Sequence, residues 1–392
     1  MFLMKSDSAK SFGWWRRGAI LSLAAMALPA LAGAASAAET KNFVVSYFYD
    51  ANFSDGKSDC PNGLNISAID FYRRDLAKAG HSHDEIEAAL KDFPGEGGLK
   101  QPWVPLVVTR GNGKDNVYVH PDTMADPGLI EVTGKYAYGF NLDGKGAASP
   151  SKFEDPDTHE MGVNNQIYKV MGCIRSYRGL PPPGRPSLAE NLWDVLRDVA
   201  PAWLIGVTAP DGFSKDGEVT VTFDRALERI TRDASGAAAQ ADMTYQIDPD
   251  PRSHNVLKGH LKGNVVTIEP TDFKMVLDPY LLPEVAMTQT HLRLTINPDG
   301  TARALLGGYQ SVAMYYYGMS NQSYIKEYAA SIDVPAVYYA LKRNADADPD
   351  PKTGENRRIS SAYVIEAVPA FAVPVANKTA QATDTASTPK AR

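Results

Sequence analysis

Long apolar runs are missing from the chain beyond its first 38 residues, so no later segment is suited to cross a bilayer as a helix. Cysteine is nearly missing as well. Two cysteines and seven histidines in 392 residues exclude a cysteine-rich zinc module or an iron–sulfur carrier. Nor is there a basic excess: Lys plus Arg number 40 against 46 Asp plus Glu, and the formal charge of −6 does not suit a general nucleic-acid binder. The usual catalytic signatures are also wanting. There is no Gly-x-Ser-x-Gly elbow and no Walker loop, and His159-Glu160 has Val163 where a zinc-protease helix needs its second histidine. Glycines at 95, 97 and 98 follow a helical stretch and not a strand, which excludes a dinucleotide loop. What is present, 44% hydrophobic and 22% charged residues, is globular composition, with length for about two domains.

The first 37 residues have the form of an export signal. Lys5, Lys10, Arg16 and Arg17 precede an apolar stretch from Gly18 to Ala34, and Ala35-Ser36-Ala37 supplies the small-residue cleavage pattern. Pro29 and the modest length favour cleavage over a membrane anchor. Arg16-Arg17 leaves the twin-arginine route open beside the general one. The segment carries four basic residues and one acidic, so its removal takes the net charge from −6 to −9. A soluble periplasmic or secreted protein is expected, with no transmembrane segment in the mature chain. In such a compartment Cys60 and Cys173 are expected to form a structural disulfide.

Phe43 to Tyr49 alternates, placing Phe43, Val45, Tyr47 and Tyr49 on one face of a strand. Ile66 to Ala79 has helical spacing and ends at Gly80, after which Ser82 and Glu85 form a capping box for a second helix. Strand-like runs follow at 104–109, 116–120 and 136–141. Gly179 to Pro186, rich in proline, is the best linker candidate, because successive prolines hold the backbone extended. A helix opened by Ser187 leads into strands from Trp203 to Tyr309, and Asn297-Pro-Asp-Gly300 marks a hairpin among them. Ser323–Ala330 and Val334–Arg343 read as short helices, and 361–373 as a strand. The expected fold class is α+β. Its parts are a signal peptide (1–37), a small α+β domain (38–178), the linker (179–186), an antiparallel sandwich- or barrel-like domain with a few short helices (187–373) and a disordered tail (374–392).

Three acidic loops carry the most chemistry. Asp50, Asn52, Ser54, Asp55 and Asp59 alternate around Gly56. Asp346, Asp348 and Asp350 do the same ahead of Gly354 and Glu355, and a third loop holds Asp155, Asp157, Glu160, Asn164 and Asn165. Calcium takes six to eight oxygen ligands, and alternating carboxylates on a turning loop supply several of them. It is the expected cofactor of the first two loops. Neither matches a known calcium loop throughout: Pro61 and Arg357 stand where the final glutamate belongs. The same residues are ordinary in exposed turns, which keeps a plain structural role open. His81-x-His83 is a weaker metal candidate, at a helix junction where acidic residues favour the positive helix end. Tyr315-Tyr316-Tyr317, flanked by Met314 and Met319, is either a contact surface or core.

The sequence therefore leads to an exported binding or assembly protein, with calcium-ordered loops, one disulfide, and a protein or polysaccharide partner. The alternative is an exported hydrolase with an Asp/Glu/His site that the sequence does not assemble. Catalytic residues stay unknown at this level, and so does whether the chain is an enzyme.

Overall fold

The computed structural model describes residues 38–91, 103–179, 185–186, 199–236, 238–278, 282–321 and 323–375. The expected leader, most of the proline-rich linker, the Ser187 helix up to residue 198 and the tail beyond Val375 lie outside the described residues.

Alternation of apolar and polar residues sets the architecture. Eight strands carry it: β1 (Glu39–Asp50), β2 (Trp203–Ala209), β3 (Gly217–Arg225), β4 (His254–Lys262), β5 (Val265–Ile268), β6 (Leu282–Ile296), β7 (Ala302–Ser311) and β8 (Asn356–Pro374). Each pairs antiparallel with the next in the chain, and β8 returns to β1, so the sheet closes into an up-and-down barrel. β2 turns Trp203, Ile205 and Val207 inward, and β3 turns Val219, Val221 and Phe223 inward; all six belong to one buried cluster. The barrel interior is filled with such side chains.

Of the two expected β architectures, the barrel is the one formed, and the sandwich is not. A single sheet curls onto itself, because β8 pairs with β7 over residues 358–367 on one edge and with β1 over residues 363–370 on the other. β6 bends at a bulge between Thr288 and His291, where Gln289 has φ +50°. Its first half pairs with Thr271–Asp278, which extends the line of β5. Met243–Ile247 adds a parallel strand to the far end of β8.

Two excursions leave the same end of the barrel and pack together as a helical lobe. The first runs from Ala51 to residue 179, with α1 (Ala68–Lys78), α2 (His83–Leu90), α3 (Trp103–Val108) and α4 (Gln166–Met171). The second lies between β7 and β8, with α5 (Val312–Ser320), α6 (Ser323–Ala330) and α7 (Val334–Asn344). Ile167, Met171 and Ile174 of the first share a core with Tyr315, Val334 and Val337 of the second. The α+β domain expected over 38–178 is therefore not a unit of its own. Its one long strand, β1, is a barrel stave paired on both sides with strands beyond residue 200.

Local signals hold at the helix ends. Ser67 caps α1, Gly80 follows it with φ +96°, and Ser82 and Glu85 form the full capping box of α2. The strand expected at 104–109 is instead α3. Its Pro105 sits in the first turn, where the missing N–H is tolerated, and Val107 is fully buried in the lobe. Residues 116–120 form turns, and 136–141 contribute isolated bridges only.

Cys60 and Cys173 are bonded, with their Cα atoms 5.8 Å apart, and the bridge ties the start of the lobe to the end of α4. It spans 113 positions, for which chain entropy assigns ~4–5 kcal/mol. Replacing both cysteines by serine is expected to lower the urea-unfolding free energy by that order. A loss under ~1 kcal/mol would mean that the packing of the lobe already restricts the unfolded chain.

Candidate functional site

The most unusual chemistry lies where the lobe covers the barrel end, and a bulge in β1 puts it there. The register against β8 runs Val45↔Ala367 and then Tyr47↔Glu366, which leaves Ser46 as an extra residue whose hydroxyl donates to the Glu366 carbonyl. An extra residue reverses the in–out alternation beyond it. Phe43 and Val45 point into the barrel, but so then do Phe48 and Asp50, while Tyr49 packs against the outer wall. Phe48 stacks on Tyr363 inside, with ring centroids 4.6 Å apart. The single face expected for Phe43, Val45, Tyr47 and Tyr49 is thus broken at Ser46. A carboxylate that ends an apolar strand is delivered into the barrel mouth.

Asp50 meets the lobe there. Its charge is felt by Tyr177, Tyr315, Tyr363 and Lys326 of α6, whose amine itself donates to the Gly318 carbonyl. Gln310 donates to the Tyr363 hydroxyl at 2.7 Å, the Tyr177 hydroxyl contacts the Met319 sulfur at 3.7 Å, and the Asn52 amide donates to the Tyr177 carbonyl at 2.9 Å. Asp50 keeps partial exposure as a residue, yet its Oδ1 is buried and has no hydrogen-bond donor among the described residues. The same holds for Asn52 Oδ1. Burial pushes the Asp50 carboxyl up to about 7, with the Lys326 charge opposing the rise. Burial likewise pulls the Lys326 amine down to about 8, opposed by Asp50. Burial raises all three phenols, and the charge of Asp50 adds to the rise. Raised phenols, a buried acid and amine with shifted titration, and unmet acceptors together make a polar layer at the end of an apolar barrel.

A second buried charged group sits deeper in the lobe and is built differently. Arg110 is 1% exposed and is held by Glu327 at 2.7 Å, Asp75 at 3.5 Å and Asp333 at 3.7 Å. Tyr118 and the Val334 N–H also donate to Glu327, and Arg74 pairs with both Asp75 and Asp333. Burial, then the neighbouring Asp75 carboxylate, raises Asp333, which also caps α7. Here two guanidinium groups face three carboxylates, and the group ties α1, the turn after α3, α6 and α7 together.

The residues expected to bind calcium have separate partners. Asp55 accepts from the Lys57 and Ser58 N–H groups of its own turn, Ser54 lies on the loop before it, and Asp59 pairs with Arg178 beside the disulfide. Asp346 accepts from Ser360, Asp348 and Asp350 pair with Arg357, and Glu355 pairs with Lys342. Asp50 and Asn52 are the two residues of the first set that belong to the barrel mouth. In the third loop Asp155 is buried against Arg293 at 3.2 Å, and Asn165 caps α4. Among the described residues no three His, Cys, Asp or Glu side chains group as metal ligands, the region of His81 and His83 included. The tyrosine triplet lies on α5, with Tyr315 buried in the site and Tyr317 exposed.

No family model, curated protein or solved structure matches this chain. Its function has to be read from the site itself. Sequence reasoning missed Lys326, Tyr177, Tyr363 and Gln310. The one available signal was the Lys326-Glu327 pair within a short, largely apolar helix.

Proposed function

We propose that this chain is an exported binding protein that takes a small polar molecule at the barrel mouth, beneath the helical lobe. The observation that carries the reading is the pair of buried acceptors, Asp50 Oδ1 and Asn52 Oδ1, left without donors in a layer walled by tyrosines. A buried acceptor without a donor loses roughly 1–3 kcal/mol, which a ligand bearing hydroxyl or N–H groups would recover. Export is supported by the leader pattern and by a disulfide that needs an oxidising compartment. Calcium has no part in this reading, since the other acidic loop residues have protein partners.

A panel of small alcohols, amides and polyols, followed by melting temperature and calorimetry, tests the reading. A binder from that panel should lose at least tenfold in affinity in Asn52→Ala and Asp50→Asn, and nothing in Asp348→Ala. Equal affinity in all four proteins would place the ligand elsewhere and end the reading.

An exported hydrolase is the second reading. Its support is that Asp50 and Lys326 titrate at about 7 and about 8, values suited to proton transfer at neutral pH. Turnover that Asp50→Asn removes while binding persists would favour it.

A further inference from the structure

The chain contains two Asn-Gly pairs, Asn62-Gly63 and Asn112-Gly113, both at exposed turns of the lobe. Such a pair is chemically special, because glycine has no side chain to shield its nitrogen from the carboxamide before it. At both glycines a Cβ would meet open space. The two asparagines are held very differently. Asn112 Oδ1 accepts from the Lys114 and Asp115 N–H groups at 3.0 and 2.9 Å, and its Nδ2 donates to the Asp115 carboxylate at 2.8 Å. The Gly113 N–H donates to the Thr109 carbonyl at 2.8 Å. Asn62 is exposed, and no hydrogen bond holds its carboxamide among the described residues. The Gly63 N–H donates to the Cys60 carbonyl at 3.0 Å. That turn is clamped on both sides. Cys60 is bonded to Cys173, and Asn65 donates twice to the Cys173 carbonyl, from its main chain at 2.9 Å and its side chain at 3.1 Å. Asn65 also exchanges two bonds with the main chain of Ile130.

We propose that Asn62 is a site of spontaneous modification, where attack by the Gly63 nitrogen converts the carboxamide to aspartate and isoaspartate, while hydrogen bonds hold Asn112 back. The proposal is independent of the binding reading. Solvent base takes the Gly63 N–H proton, and the nitrogen forms a bond to Asn62 Cγ. The Cγ–Nδ2 bond then breaks, and the amide nitrogen leaves as ammonia with a proton from water. The product is a cyclic imide. Water opens it at either carbonyl. Breaking the bond from Cγ to the Gly63 nitrogen gives aspartate, and breaking the main-chain bond gives isoaspartate. Asparagine plus water becomes an acid plus ammonia, with no oxidant or reductant. The attack needs a carboxamide free to approach the next nitrogen, which Asn62 has and Asn112 gains only after its three side-chain bonds are released. Either product adds a negative charge two residues from Cys60, and isoaspartate also lengthens the main chain by one carbon. The disulfide on one side and Asn65 on the other confine that change to the turn.

The test incubates the full, oxidised chain in mildly alkaline heavy-oxygen water and then maps it by tryptic digestion and mass spectrometry. Opening of the imide places a heavy oxygen in the product, and the peptides Ser58–Arg73 and Gly111–Lys114 report the two sites separately. In the folded chain Asn62 should take up the label at least tenfold faster than Asn112. In urea, where neither turn persists, the two rates should agree within about twofold, because both sites are then free Asn-Gly pairs. Asp115→Ala should speed the labelling of Asn112 and leave that of Asn62 unchanged. Equal rates in the folded chain overturn the proposal. A gap that persists in urea does so too, because the difference would then lie in the flanking sequence and not in the turn. Isolated by anion exchange, the modified chain should melt with the unmodified one, and a lower melting temperature would overturn the confinement of the change to the turn.

Discussion

Replacing Arg110 by methionine is expected to remove about 3–5 kcal/mol of stability, the largest effect of any single substitution in the lobe. The guanidinium is fully enclosed and faces Glu327, Asp75 and Asp333, so its loss leaves buried carboxylates with Arg74 as the remaining cation. Arg110 also donates to the Val107 carbonyl and the Tyr118 hydroxyl, bonds that methionine cannot replace. Urea titration monitored by far-ultraviolet circular dichroism measures the loss. Arg110→Lys should recover less than half, because an ammonium lacks the planar fork that reaches several acceptors at once. A cost under ~1 kcal/mol would mean that the carboxylates simply take up protons, and a stability that then falls as pH rises would reveal it.

Asp50→Asn should act in the opposite direction above neutral pH. The folded chain holds the Asp50 proton up to about pH 7, while the unfolded chain releases it near 3.8. Between those values the native state binds more protons than the unfolded state, so the contribution of Asp50 to stability is greatest in acid. It declines as pH rises to about 7 and is constant beyond. Asparagine imitates the neutral acid at every pH. The variant should match the wild type near pH 4 and exceed it by ~2–4 kcal/mol at pH 7.5, less whatever Lys326 loses without its counter-charge. Paired urea titrations at the two pH values check the sign, and a variant that is less stable at pH 7.5 would refute the assignment. If it is more stable yet binds no ligand, the barrel mouth trades stability for use, as functional sites commonly do.

Some of this molecule is legible from its residues alone. The strands from Trp203 to Ile296 follow alternation, the hairpin turns at Asn297–Gly300, and the helix stop at Gly80 and the cap at Ser82 follow local backbone and hydrogen-bonding rules. These signals act within a few residues. The site is not of that kind. Asp50 reads as the first residue of an acidic turn, and its inward direction depends on one inserted residue, Ser46, that no local composition marks as a bulge. Its companions Tyr177, Lys326 and Tyr363 come from distant parts of the chain and meet only once the barrel has closed. The α3 segment fails for another reason: its valines suggest a strand, but packing of Val107 into the lobe decides in favour of a helix. The disulfide was legible as an even count of cysteines behind a leader-like segment, though not as a geometry.

The seam between β1 and β8 also bears on how the barrel comes into being. β2 to β7 follow one another in the sheet in chain order, and their neighbouring pairs can assemble early. The last joint, by contrast, brings Ser46 to Glu366 across 320 positions of sequence. Closing so long a loop is slow, and until it happens both flanks of the growing sheet carry unpaired backbone groups. During that interval the intermediate is open to aggregation and to capture by chaperones. Dilution, low temperature or a folding helper should raise the yield of closed barrel more than any change within its already well-filled interior.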